Sequence, residues 1–99
     1  MAGFIQIIEF RTSRFDEVQQ LGEEWEAAAG SDATARRRLL CRDRDEDRYF
    51  NVVFFDSFEE AMANSDNPVT QEFSQKMMAL ADGPPTFYNL DVVEDRALG

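Results

Sequence analysis

Residues 48–55 read Arg-Tyr-Phe-Asn-Val-Val-Phe-Phe, and residues 4–11 read Phe-Ile-Gln-Ile-Ile-Glu-Phe-Arg. Both runs are rich in β-branched and aromatic side chains, which pack well on a pleated surface, so each predicts a strand. Successive side chains point to opposite faces of a strand. The first run then shows Phe4, Ile8 and Phe10 on one face and Ile5 and Ile7 on the other. The second shows Phe50, Val52 and Phe54 against Tyr49, Val53 and Phe55. A sheet with one wetted face alternates apolar with polar residues, and these strands are apolar front and back.

The rest of the chain follows from these two strands. After Thr12 and Ser13, Asp16 stands three residues beyond Ser13, the spacing of a helix N-cap with an acid near the positive end of the helix dipole. Phe15, Val18, Leu21, Trp25 and Ala28 or Ala29 form one apolar stripe, and Gly30 ends the helix. Residues 34–43 predict a second strand in spite of Arg36, Arg37 and Arg38, because Leu39, Leu40 and Cys41 follow. The polar segment Asp43-Arg44-Asp45-Glu46-Asp47 reads as a hairpin turn into residues 48–55. Ser57 and Glu60 have the capping-box spacing and open a short helix. Asn67 and Pro68 start another, with Val69, Phe73, Met77 and Leu80 at helical spacing. Gly83-Pro84-Pro85 stops it, and residues 86–94 predict the last strand.

The order βαββαβ is that of a ferredoxin-like α+β domain filling residues 1–99, a four-stranded antiparallel sheet with both helical segments on one face. The right-handed crossover rule, applied to the first helix, predicts the first and third strands as parallel neighbours at the centre. Helices on one side leave the other side of the sheet bare. Leaving a large apolar side chain wet forgoes about 1.5–3 kcal/mol, and a few of these approach the whole stability of a small domain. The bare face predicts a second copy of the chain, a twofold homodimer.

Composition narrows the function. The chain has 99 residues and a net charge of −10, a surface that repels phosphate backbones and argues against nucleic acid. No apolar run is long enough to span a membrane, and the N-terminus shows no signal-peptide pattern, so a cytoplasmic location is expected. One cysteine and no histidine exclude an internal disulfide, a Cys/His zinc cluster and a Ser-His-Asp triad.

The opening strand Phe4–Phe10, the stretch from Phe50 to Met62 and the tail from Gly83 to Val93 together make the chain resemble the dimeric α+β barrel superfamily, in the branch of the antibiotic biosynthesis monooxygenases. The resemblance implies two sheets facing each other as a barrel, and a pocket in each protomer between sheet and helices. It also implies oxygen chemistry without a metal or organic cofactor, on an aromatic or polyketide-like compound. Histidine is common in working pockets of that superfamily, and its absence here argues against haem degradation and against a histidine base.

Polar residues at strand positions expected to be buried are the candidates, because an unpaired buried amide costs about 1–3 kcal/mol. Gln6, Asn51 and Asn89 occupy such positions. They orient a small apolar or aromatic ligand, or they bond one another. Trp25, Phe73 and Met77 roof the pocket, with the Trp25 indole N–H free to donate to a ligand oxygen, or they are plain core. Alternation places Arg36 and Arg38 on the side of Leu40, so one of them can face the pocket as an anion grip. Tyr49 is a further contact or proton relay. The expected catalytic set is Asn51, Trp25 and Arg38, with Gln6, Tyr49, Phe73, Met77 and Asn89 holding the substrate. No metal is expected. The alternative is a ligand-binding or assembly module without catalysis.

Overall fold

A computed structural model describes residues 3–30 and 34–98. Its elements run β1 (Phe4–Phe10), α1 (Phe15–Ala29), β2 (Arg37–Arg42), β3 (Tyr49–Phe55), α2 (Phe58–Asp66), α3 (Pro68–Leu80) and β4 (Thr86–Asp91). The four strands form one sheet in the order β2-β3-β1-β4, and every neighbouring pair is antiparallel. The parallel pairing of β1 with β3 expected from the crossover rule is therefore wrong. α1 returns the chain to start β2 in the same direction as β1, one strand further out. The hairpin then reverses the chain, and β3 slots between them running against both.

β2 begins at Arg37 rather than residue 34, because Thr34 is drawn off the sheet: its hydroxyl donates to the Glu60 carbonyl. β4 ends at Asp91, short of residue 94. The Ser13 cap does not form. Arg14 occupies the N-cap without a side-chain bond. Thr12 is used instead: its hydroxyl accepts from the Arg14 N–H at 2.9 Å and donates to the Leu80 carbonyl at 2.7 Å, tying the start of α1 to the end of α3. The other signals are as read. Ser57 Oγ accepts from the Glu60 N–H, Asn67 Oδ1 accepts from the Val69 N–H, and Pro68 opens α3. Gly30 closes α1 at a φ of +52°, where glycine avoids a Cβ clash. In the hairpin, Asp43 accepts the backbone N–H groups of Asp45 and Glu46 and the Arg48 Nε–H. The Asp45 N–H, followed by Arg48, holds the Asp43 carboxyl below its usual pKa.

The register divides the sheet cleanly. Phe4, Gln6, Ile8 and Phe10 of β1 share the helix-covered face with Phe55, Val53, Asn51 and Tyr49 of β3. Ile5, Ile7, Leu39, Phe50, Val52 and Phe54 share the opposite face, where no helix lies, and all six are half-buried. Under the helices the core is in two pieces. Phe4, Val53, Phe55 and Ala61 form one. Phe10, Val18 and Tyr49 form the other, with Phe15, Leu40, Met77 and Leu80 against it. The polar side chains of Gln6 and Asn51 lie along the same face, where the two pieces separate.

Candidate functional site

Between the two core pieces the helices stand off the sheet and leave a cavity of about 190 Å³. Gln6, Ile8, Leu40, Asn51 and Val53 form its sheet side, α1 contributes Val18, Leu21, Gly22 and Trp25, and α3 contributes Phe73 and Met77. No residue of α3 is fully buried, which fits a helix whose apolar stripe faces this space rather than packed side chains. Six of the eight residues singled out in the sequence line the cavity: Gln6, Trp25, Arg38, Asn51, Phe73 and Met77.

Asn51 is the exceptional one. Its Oδ1 is buried and has no hydrogen-bond partner, the only such side-chain atom among the described residues. Buried acceptors are nearly always paired, so an orphan on a residue of the cavity wall marks a position that a donor should fill. Gln6 is paired: its Nε2–H donates to Asn89 Oδ1 at 3.3 Å. Asn89 is thereby engaged and does not line the cavity. Tyr49 is also outside the lining. Its ring stacks on Phe15 at 4.5 Å between centroids and on Phe10 at 5.7 Å, as a core aromatic.

Trp25 faces the cavity, but its N–H is not free for a ligand. It donates to Thr70 Oγ1 at 3.0 Å, and the Thr70 hydroxyl donates in turn to the buried Asn64 at 3.5 Å. The indole is held by its edge and offers its ring. Thr70 and Asn64 went unremarked in the sequence. The available signal was that Asn64 falls three residues after Ala61, on the inward side of α2.

Of the two arginines that alternation allowed, Arg38 lines the cavity, while Arg36 pairs with Asp56 elsewhere. Arg38 crosses α1 at Gly22, where a Cβ would fall 2.9 Å from Nη2 and 3.0 Å from Nη1. Its Nε and Nη2 donate to Glu26 Oε1 at 3.2 and 2.8 Å. Gly22 thus leaves room for the guanidinium at the cavity wall. Gly22→Ala should raise helix stability by up to about 1 kcal/mol while displacing Arg38. Thermal melts alongside ligand titrations should show an unchanged or higher midpoint with weaker binding; unchanged binding would refute this role.

On the bare face, Glu9 accepts from the Tyr88 hydroxyl at 2.9 Å and from Arg48 Nη1 at 3.3 Å. The hydrogen bond to Glu9 raises the Tyr88 pKa above the ordinary 10.0. The stability linked to this phenol is thus complete below its ordinary pKa and is lost as pH rises through the raised value. Ultraviolet titration should find the phenolate of Tyr88 forming at lower pH in Glu9→Gln than in the parent; coincident curves would contradict the assignment.

Among the described residues, no three Cys, Asp or Glu side chains converge as a metal would require, and no helix is long and apolar enough to cross a membrane. No protein-family model matches the chain, and no curated protein sequence does. Solved structures match closely in shape. A candidate antibiotic biosynthesis monooxygenase from Caulobacter crescentus superposes with a TM-score of 0.80 at 14% identity, covering 94% of this chain and 92% of that one. This is the fold of the antibiotic biosynthesis monooxygenases. SnoaB, a cofactor-independent oxygenase from Streptomyces nogalater, shares the fold at a TM-score of 0.74 and 16% identity, with 99% and 98% covered. Rv0793 from Mycobacterium tuberculosis does so at 0.78 and 11%, with 96% and 99% covered.

Proposed function

We propose that the chain binds a small aromatic molecule beneath Trp25 and acts on it as a cofactor-independent monooxygenase, working as a homodimer. The observation that carries the reading is the orphan Oδ1 of Asn51, a buried acceptor on a residue that lines a mostly apolar cavity roofed by aromatic rings. A phenolic hydroxyl is the natural donor to it. Oxygen chemistry of this kind draws its electrons from the substrate: a hydroquinone and one O₂ give a hydroxyquinone and one water. The protein's part is orientation and stabilisation of developing charge. Asn51 accepts from the hydroxyl, Trp25 and Phe73 bracket the ring, and Arg38 supplies positive charge. SnoaB supports the reaction class by its fold and its stated cofactor independence. The acidic surface and single cysteine suit a reducing cytoplasm.

The bare sheet face supports the homodimer. Six half-buried apolar side chains lie together there, and exposed Tyr88 and Leu90 of β4 extend the patch. A second copy presenting the same surface would cover it, as twofold symmetry requires.

One observation favours binding without catalysis: among the described residues, Arg38 is the only ionisable side chain lining the cavity, and none of them provides a general base there. Oxygen uptake with a panel of hydroquinones separates the two readings. Catalysis predicts uptake that falls roughly tenfold or more in Asn51→Ala, the loss expected when the hydrogen bond that orients the substrate hydroxyl is removed. Uptake unchanged in both Asn51→Ala and Trp25→Phe would refute the catalytic role, and binding without uptake would establish the second reading.

A further inference from the structure

We propose that the cavity selects one-ring aromatic acids bearing a phenolic hydroxyl, the hydroxyl donating to Asn51 and the carboxylate resting at Arg38. The inference rests on the ligand site proposed above and adds its selectivity.

The polarity of the cavity is lopsided in a chain of net charge −10. Among the described residues, its only ionisable lining side chain is a cation. The Arg38 side chain is 20% exposed, so its charge is partly withdrawn from water and less screened than a surface charge. Nε and Nη2 are directed to Glu26, which is the more exposed partner at 54%. Nη1 has no hydrogen-bond partner among the described residues, and a guanidinium fork matches a carboxylate. Asn51 offers a different requirement, a buried acceptor, Oδ1, that lacks a donor.

The two groups are set apart by the register. Leu40 lies opposite Asn51, and Arg38 is two residues along the same face of β2. Such diagonal neighbours start about 7–8 Å apart on the sheet, and the Arg38 guanidinium then reaches up to Gly22 of α1. A ligand satisfying both must therefore carry donor and anion at separate ends. Size suits such a skeleton. A cavity of 190 Å³ is a little larger than the roughly 150 Å³ that encloses benzene. It has room for one substituted ring, and it is partly open to solvent.

Trp25 is the sole tryptophan and reports on the cavity directly. Its emission should be followed during titration with para-hydroxybenzoate, meta-hydroxybenzoate, the matching hydroxybenzamides and benzoate. One hydroxybenzoate should bind best, and loss of either its charge or its hydroxyl should weaken binding roughly tenfold. Arg38→Met should abolish the preference for acid over amide, and Asn51→Leu the preference for hydroxybenzoate over benzoate. Glu26→Gln, altered on the solvent side, should tighten the acid alone. Acids and amides binding equally well to the parent would overturn this selectivity and leave the ligand site standing. If none of these compounds changes Trp25 emission or the melting temperature, the ligand site itself falls.

Discussion

Asn51→Leu should make the protein more stable and deaf to its ligand. Leucine has nearly the shape of asparagine without the polar atoms, and the Asn51 Oδ1 it replaces is buried without a partner. Removing an unsatisfied buried acceptor recovers its desolvation cost, about 1–3 kcal/mol. In a domain of this size each kcal/mol moves the melting temperature by roughly 4–8 °C. The added methyl groups would meet Ile8, Leu40 and Val53, which line the same side of the cavity. A residue kept for folding behaves in the opposite way. If Asn51 held the sheet together, leucine would lower the midpoint, and the site as described would be wrong. A stabilised variant that no longer binds hydroquinone identifies Asn51 as a residue retained for function at the expense of stability.

Val52→Lys should dissociate the proposed homodimer without unfolding the chain. Val52 lies at the centre of the bare sheet face, with Ile7 on one neighbouring strand and Leu39 on the other. Across a twofold contact, one substitution places two lysines against an apolar surface, and a buried unpaired charge is far costlier than the lost valine contacts. The helix-covered face is untouched, so circular dichroism should remain that of the parent. Sedimentation should report about 11.4 kDa for the variant and about twice that for the parent. A parent that sediments as a single chain at every concentration would refute the covered face.

The parts of this architecture written in short-range pattern were legible. Runs of β-branched, aromatic and other apolar residues marked all four strands, and Ser57, Asn67 and Pro68 marked the starts of α2 and α3. Of the three polar residues at strand positions read as buried, Gln6 and Asn51 line the cavity and Asn89 does not. What depended on chain direction or on distant partners was not legible. The parallel pairing of β1 and β3 failed because a crossover rule fixes handedness, while strand direction depends on which strand the chain returns beside. The cap expected at Ser13 does not form; Thr12 serves instead, and its second partner is Leu80, 68 residues away. The Trp25 N–H was expected to be free, and Thr70 holds it. Tyr49 carried no positional signal, and the packing shows that Phe10 and Phe15 occupy it; Asn89 was picked by its strand position, and it follows the alternative in which the amides bond one another, here with Gln6. Gly22 carried no sequence signal at all, since its smallness matters only where Arg38 crosses it.

The most direct measurement is the side-chain amide resonance of Asn51, assigned by its disappearance in Asn51→Leu and followed by nuclear magnetic resonance as hydroquinone is added. A free carbonyl that captures a phenolic hydroxyl should shift its amide signal in step with the quenching of Trp25. An Asn51 signal that stays still while Trp25 saturates would place the ligand elsewhere and contradict the site.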